Sequence, residues 1–274
     1  MKCTLCESQS EVLFPCETHD VFRCVSCHHA FSANYKVELE EIYSEEYLDE
    51  AHKRYFENPD LKMYEEIYNE IFSNFGIDAK IVDIGCGTGS LLKYLKSRGM
   101  NNLLGIDLFE NEFEGIEFIK ADINKIDLAR TFDVIMLIGS IEHVFEIDTY
   151  FKSVVKIATP NTLSVIYTIN EASFFCRLSL FLRKLGINGP SERIYSAHHV
   201  NHFSVTSLQQ FMKNHNWSIF KSTLLNFPLG ATDIGSNWLR PFLIPLLAVA
   251  NLTSHVLCGP HTQVIYSKLN LKSK

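Results

Sequence analysis

The sequence predicts an α/β fold with a small cysteine-rich module ahead of it, and three observations carry that prediction. Residues 81–99, IVDIGCGTGSLLKYLKSRG, run from an apolar strand through an acidic residue and a glycine turn into an amphipathic helix. Downstream, short apolar runs alternate with helical patterns as far as residue 169, the rhythm of a parallel sheet with crossover helices. Upstream, five of the eight cysteines fall within the first 27 residues.

Taken in order, the cysteine module comes first. Cys3 and Cys6 form one CxxC pair, and Cys24 and Cys27 form another, with 17 residues between the pairs. Two such knuckles supply four thiolates for one tetrahedral zinc, a closed and therefore structural site. A short segment with few core residues also needs such a staple to fold. Cys16, His19, His28 and His29 are neighbours of this site rather than its expected ligands. The N-terminal MKCTLCESQS has no apolar core of a secretory leader, so a cytoplasmic chain with reduced thiols is expected. The spacing sets the module at 1–35, a linker at 36–59 and the main domain at 60–274.

The main domain opens with a helix over 60–75, where Met63, Ile67, Ile71 and Phe75 recur at helical spacing. The first strand is 80–84 and its helix about 88–98, ended by Gly99. Between them lies Asp83-Ile84-Gly85-Cys86-Gly87-Thr88-Gly89, glycines that let a backbone approach a nucleotide-like ligand closely. The spacing is GxGxG rather than GxGxxG, and no Lys-Ser or Lys-Thr pair follows to make a phosphate-cradling loop. The second strand is 102–108, with Asp107 and Leu108 at its carboxyl end, where an acid accepts ribose hydroxyls. The connection FENEFEG is too short for a full crossover helix. The third strand is 116–122, the fourth 132–140 and, after a helix to about 157, the fifth 162–169. The sixth strand is 217–225 and the last 262–268.

The string DIGCGTG resembles motif I of class I S-adenosylmethionine (SAM) methyltransferases. The run RCVSCHHAFSANY resembles the zinc ribbon that precedes methyltransferases of sugar and polysaccharide clusters. The string GSIEHV resembles the EHV segment of the 3-demethylubiquinone O-methyltransferase relatives. The resemblance implies a Rossmann-like, seven-stranded SAM methyltransferase core, whose last strand runs antiparallel, behind a zinc ribbon. It implies that Asp83, Gly85, Cys86, Gly87, Gly89, Asp107, Leu108, Asp122, Ile123 and Ser140 line the cofactor site, with Asp122 on the adenine amine and Ile123 offering its backbone N–H. That ribbon family carries a glycine after the last cysteine, where His28 stands here. The linker ELEEIYSEEYLDEAHKRYF also looks like that family's, and its Tyr43, Tyr47 and Tyr55 either close over the cofactor pocket or pack between module and core.

Methyl transfer needs an aligned nucleophile and a group that takes its proton. His143 is one candidate base, with Glu142 and Glu146 as orienting groups or metal ligands; alternatively the pair shapes the cofactor pocket or caps the next helix. His199 and His202, beside His198, are the others, in a segment resembling the family's H-x-x-x-F-S stretch; metal binding or backbone-bonded loop histidines are the alternatives. Ser204 or Thr206 is the expected cap of the helix that follows.

Two apolar insertions, about 172–188 and 238–258, remain. In the first, Phe174, Leu178, Phe181, Leu182 and Leu185 make an apolar stripe beside Arg177, Arg183 and Lys184. The second is nearly long enough to span a bilayer, but Pro241, Pro245, Asn251, Ser254 and His255 argue against that. A hydrophobic lid, a peripheral contact with the membrane and ordinary core packing stay open. A net charge of −7 disfavours a nucleic-acid partner. The expected activity is methylation of a sugar or saccharide acceptor (nucleotide sugar, polysaccharide or lipid-linked glycan). The alternatives are O-methylation of a lipid quinone or small aromatic, and a non-catalytic SAM-binding zinc scaffold.

Overall fold

The computed structural model describes residues 1–37, 58–226, 240–257 and 259–270. Tyr43, Tyr47 and Tyr55 lie outside the described residues. In chain order the strands are β1 Ser10–Pro15, β2 Asp20–Cys24, β3 Ala30–Ala33, β4 Ile81–Ile84, β5 Leu103–Asp107, β6 Glu117–Lys120, β7 Val134–Ile138, β8 Leu163–Ile169, β9 Asn201–His202, β10 Trp217–Leu225 and β11 Thr262–Leu269. The helices are α1 Leu61–Phe75, α2 Ser90–Ser97, α3 Ile147–Lys156, α4 Phe174–Lys184, α5 Gly189–Ile194, α6 Val205–Asn214 and α7 Arg240–Leu257. As expected, no helix bridges β5 and β6.

Seven strands make one sheet in the order β10-β11-β8-β7-β4-β5-β6. The pairs β4–β5, β4–β7, β5–β6 and β7–β8 are parallel. From β4 the chain steps outward through β5 and β6, then returns to the other side of β4 with β7 and β8. The order therefore reverses between β4 and β7, the place where open α/β sheets bind ligands beyond the strands' carboxyl ends. Strands with both faces covered are mostly apolar, and β4 and β7 are buried over nearly their whole length, Asp83 being the one charged residue in them. α1 buries Met63, Tyr64, Ile67 and Ile71, and Asp60 caps it by accepting from the N–H groups of Lys62 and Met63. Phe75, expected on that stripe, is half-buried. α2 buries Leu91, Leu92 and Leu95, and α3 buries Ile147, Tyr150, Phe151 and Val154.

The fold separates into two compact units, and their boundaries differ from those drawn on the sequence. The sheet unit is Asp60–Thr168, Gln209–Thr223 and Val264–Lys274. The ribbon unit is Met1–Pro59 together with Ile169–Leu208 and Leu224–Gln263. Both apolar insertions thus belong with the ribbon rather than with the main domain. Within this unit β1, β2, β3 and β9 form a second sheet, antiparallel wherever the strands pair. The fourth strand comes from far along the chain: Ala30 pairs with His202 and Phe31 with Asn201. Two small apolar clusters hold it, Cys3-Phe22-Cys24-Phe31 and Phe14-Val21-Ala30-Tyr195.

α4 is capped by Ser173, whose hydroxyl accepts from the Cys176 N–H. Part of its expected apolar stripe is turned outward: Leu178, Phe181 and, just past the helix end, Leu185 are exposed, Phe174 and Leu182 are half-buried, and Cys176 and Ser179 are buried. α7 likewise exposes Leu246, Val249 and Leu252. The two helices touch each other, but they do not form a shared apolar core from these residues. Among the described residues no helix is long and apolar enough to cross a membrane.

Candidate functional site

The glycine turn sits at the carboxyl end of β4, where the strand order reverses. Gly85, Gly87 and Gly89 all have positive φ, at 75°, 51° and 67°. Two of them are also sterically obligatory. A Cβ on Gly85 would lie 2.6 Å from Cβ of Ser140, two residues beyond β7, and a Cβ on Gly89 would lie 2.8 Å from the Phe113 ring. Phe113 comes from the short β5–β6 connection, and it accounts for that segment's place in the fold. It is buried over the turn, with the Lys93 ammonium 5.1 Å from its ring centroid. Cys86 is buried under the turn, and its Sγ would lie 2.8 Å from a Cβ on Gly105.

Asp107 ends β5. One carboxylate oxygen accepts from the Gly87 N–H at 2.8 Å and the other from the Phe109 N–H at 3.1 Å. A carboxylate latched in this way fixes both itself and the glycine turn. Asp83 lies inside β4, paired in register with Gly105 and Met136. It is buried, one of its oxygens has no hydrogen-bond partner, and burial together with the Asp107 charge pushes its carboxyl up to about 8. Leu108 is exposed at the strand end, Ile123 is buried, and the half-exposed Asp122 accepts from the Asn124 N–H at 2.9 Å.

Across the turn, beyond β7, Ile141–His143 form a single 3-10 turn. Ser140 Oγ, Glu142 Oε2 and the Tyr150 hydroxyl are buried without hydrogen-bond partners, and Tyr150 stands beside Ser140. Burial raises the Glu142 carboxyl to about 7. A buried polar atom with no partner is costly, about 1–3 kcal/mol, and a bound ligand or an ordered water beside it removes that cost. Four such residues, Asp83, Ser140, Glu142 and Tyr150, share the carboxyl end of β4 and β7 with a turn that admits no side chain. These residues fit a polar, nucleoside-sized cofactor. Tyr150 was invisible as a site residue in the sequence, because at its place on α3 it reads as one more member of the apolar stripe.

His143 closes the 3-10 turn, half-buried, in the sheet unit. Glu142 is buried and Glu146 exposed, and the three do not gather as a metal-ligand group. His199 and His202 lie in the ribbon unit. His199 Nδ1 is 3.2 Å from the Ile194 carbonyl. His202 is buried in β9, its Nε2 3.1 Å from the Ser32 hydroxyl and its ring 4.6 Å from that of Tyr195. Burial holds the His202 ring well below the usual imidazole range and therefore neutral. Ser204, not Thr206, caps α6, accepting from the Ser207 N–H at 3.1 Å.

The four knuckle cysteines converge. Their sulfurs all lie within 4.8 Å of one another, and they are the one such cluster of metal-ligating side chains among the described residues. Cys3–Cys27, Cys6–Cys24 and Cys6–Cys27 are separated by 3.6, 3.5 and 3.5 Å. A tetrahedron with about 2.3 Å metal–sulfur bonds has edges of about 3.8 Å, close to these spacings. Backbone N–H groups of Leu5, Ser26 and Cys27 point at Cys3 and Cys24 sulfurs at 3.4 Å. Each knuckle closes with a left-handed residue directly after its second cysteine, Glu7 and His28, both at φ 58°. The turn thus takes the conformation that glycine favours at a position where this chain has histidine.

Comparison with known proteins agrees with this geometry. Residues 41–222 match a family model described as a methyltransferase domain. The ubiquinone biosynthesis O-methyltransferase of Rickettsia conorii is 28% identical over 113 residues, 37% of this chain and 39% of that one. Its Rickettsia prowazekii counterpart is 29% identical over 120 residues, 39% of this chain and 47% of that one. The chain thus spans less than half the length of these curated relatives. In structure, it resembles 1,6-didemethyltoxoflavin-N1-methyltransferase of Burkholderia thailandensis, solved with S-adenosylhomocysteine. The TM-score is 0.52 at 14% identity, over 90% of this chain and 98% of that one. It also resembles the magnesium protoporphyrin IX methyltransferase of Synechocystis, at TM-score 0.54 and 10% identity, over 85% and 98% of the two chains. The fold is that of SAM-dependent methyltransferases, and by the family model this chain belongs to the methyltransferase domain family.

Proposed function

We propose that this chain is a SAM-dependent methyltransferase acting on a sugar or saccharide acceptor, with a structural zinc in its N-terminal ribbon. The observation that carries the cofactor assignment is the Gly87–Asp107 latch beneath three left-handed glycines. It leaves the turn's backbone open to a ligand and holds a carboxylate ready for ribose hydroxyls. When bound, SAM supplies an activated methyl group on a sulfonium centre. The chain's own residues supply the rest. The glycine turn and Asp107 orient the nucleoside, Ser140, Glu142 and Tyr150 offer polar atoms in a water-poor pocket, and His143 is our candidate for the group that takes the acceptor's proton. His202, sealed inside a sheet, reads as structural, and His199 remains the second candidate. The four cysteines supply the donor set of a closed zinc site that organises the ribbon.

The saccharide reading is supported by the ribbon itself, which resembles that of sugar-cluster methyltransferases. The exposed apolar residues of α4 and α7 support an acceptor carried on a lipid and a peripheral contact with the membrane. Methylation of a quinone is the second reading, favoured by the names of the Rickettsia relatives.

Calorimetric titration with SAM and S-adenosylhomocysteine, beside Asp107→Ala, tests the cofactor assignment. Micromolar binding lost in the variant supports it, and no binding by the folded, zinc-loaded wild type refutes it. Turnover assays with nucleotide sugars, lipid-linked saccharides and a demethylated quinol then separate the acceptors: methylation of the quinol alone replaces the first reading with the second.

A further inference from the structure

We propose that a cationic cleft within the ribbon unit binds the phosphates of a diphosphate-bearing ligand, at a site separate from the glycine turn. The cleft measures about 600 Å³, the size of a small-molecule site, and all its lining residues lie in this one unit. Arg23, Arg177, Arg183 and Lys184 line it, and Glu171 is the one acid in the lining. Counting Glu192, whose carboxylate lies 3.5 Å from Arg183, four cations face two carboxylates, a local excess of positive charge in a chain of net charge −7.

Three of those groups are already engaged, and they build the floor. Glu171 is buried; both Arg23 guanidinium nitrogens donate to its carboxylate, and the Tyr195 hydroxyl donates to it at 2.7 Å. Arg183 donates to Ser191 Oγ at 3.0 Å and to the Pro15 carbonyl, and its guanidinium lies 4.2 Å from the Phe14 ring centroid. Arg23 and Arg183 are therefore held in place, each with an acid of its own, Glu171 and, at 3.5 Å, Glu192, which leaves Arg177 and Lys184 as the cleft's excess cations.

Arg177 and Lys184 differ. Both are exposed on α4, seven residues and thus two turns apart, and so stand on the same ridge about 10 Å apart along the axis. Among the described contacts, Arg177 donates through Nε to the Ala172 carbonyl, and neither Arg177 nor Lys184 forms an ion pair. Two long flexible cations at that spacing suit two linked phosphates, which a single carboxylate would not span. Thr206, in the first turn of α6, adds a hydroxyl at the cleft beside a helix N-terminus. The sequence hid this arrangement. Arg177, Arg183 and Lys184 looked like a basic flank for lipid headgroups, and Arg23 lies more than a hundred residues away.

A diphosphate occurs on nucleotide sugars and on isoprenoid carriers, and the cleft's chemistry suits both. Assignment of the site to the methyl acceptor rests on the saccharide reading above, but the binding is measured without methyl transfer. Full-length, zinc-loaded protein is titrated with inorganic pyrophosphate, uridine diphosphate and farnesyl diphosphate, each with and without saturating S-adenosylhomocysteine. Binding is expected to survive S-adenosylhomocysteine and to weaken at least tenfold in Arg177→Ala/Lys184→Ala. Asp107→Ala, which removes the cofactor latch, is expected to leave it unchanged. Tighter binding of uridine diphosphate names a nucleotide carrier, and tighter binding of farnesyl diphosphate an isoprenoid one. No binding of any probe at millimolar concentration, displacement by S-adenosylhomocysteine, or unchanged affinity in the double variant overturns the proposal. Cofactor binding without pyrophosphate binding sinks this inference alone, whereas the reverse sinks the methyltransferase reading alone.

Discussion

The sheet unit and the ribbon unit hold themselves together in opposite ways. The sheet unit buries apolar side chains under parallel strands, and the left-handed residues at its ligand-binding turn are the glycines 85, 87 and 89. The ribbon unit has two small clusters, a tetrad of cysteines, a bidentate Arg23–Glu171 pair, and knuckle turns made by left-handed Glu7 and His28. A unit that spends few of its apolar residues on its own core must obtain stability elsewhere, and the zinc proposed above for the cysteine tetrad would supply it. The contrast separates a unit in which conformation follows from packing from one in which conformation follows from cross-links and polar pairs.

The largest expected effect tests that contrast directly. Removing zinc with a chelator, or substituting Cys24→Ser, should abolish hydrogen-exchange protection of the β2 and β3 amides, since such sites contribute on the order of 10 kcal/mol to folding of isolated fingers. Protection of the β4 and β7 amides, which sit in the apolar core, should persist. Equal loss of protection in both sheets would show that the ribbon's tetrad supports the whole chain. Next comes Gly85→Ala. Its Cβ would collide with Ser140 at 2.6 Å and sit at φ 75°, so SAM affinity should fall about a hundredfold or more, measured by calorimetry. Retained affinity would mean that the turn has room the geometry denies.

The third effect is pH-dependent. Burial raises the carboxyl groups of Glu142 and Asp83 to about 7 and about 8, so the folded chain holds these protons more tightly than the unfolded one. The stabilisation is complete below the ordinary carboxylate values near 4, and it drains away as pH rises through 7 and 8. Glu142→Gln should therefore flatten part of the fall in stability between about pH 4.5 and 7. The difference from wild type should approach 3 kcal/mol as an upper figure, measured by urea denaturation across that range. An unchanged slope would place water or a cation at the Glu142 oxygen in the free protein. Smaller again is Glu7→Gly in the first knuckle. Glu7 is exposed with φ 58°, and relief of that conformation should raise ribbon stability by about 1 kcal/mol without altering SAM affinity. A loss of stability would show that the Glu7 side chain has a role its exposure hides.

How much of this was legible depended on whether the signal is local. Strand, glycine turn and helix at 81–97 were readable because each residue there answers to its neighbours: apolar run, positive φ, amphipathic stripe. β10 matched its expected bounds and β11 ran one residue further. The cysteine tetrad was readable because ligand spacing is itself a local pattern. By contrast, β9 is two residues long and exists only because β3 pairs with it, so nothing in Asn201–His202 announces a strand, and His202 looked available for catalysis. Arg23 and Glu171 are likewise 148 residues apart and meet only in the fold. α4 was misleading for a different reason. Its periodicity correctly gave a helix, but periodicity says which residues share a face and not which way that face turns.

That outward-turned stripe yields the smallest effect and the cleanest contrast between the units. Leu92 in the sheet unit is fully buried, and Leu92→Ala should cost about 2–5 kcal/mol through the cavity it leaves. Phe181, Leu185 and Leu252 in the ribbon unit are 58%, 63% and 76% exposed, so replacing all three with serine should change stability by less than about 0.5 kcal/mol each. Exposed at this level, the three are available to the peripheral membrane contact proposed above. The triple variant should therefore sediment less with anionic vesicles than wild type does, while its thermal midpoint stays put. A large loss of stability would instead mean that these residues are covered in solution, by self-association or by chain outside the described residues, and the ribbon unit would then owe more to apolar burial than its cysteines suggest.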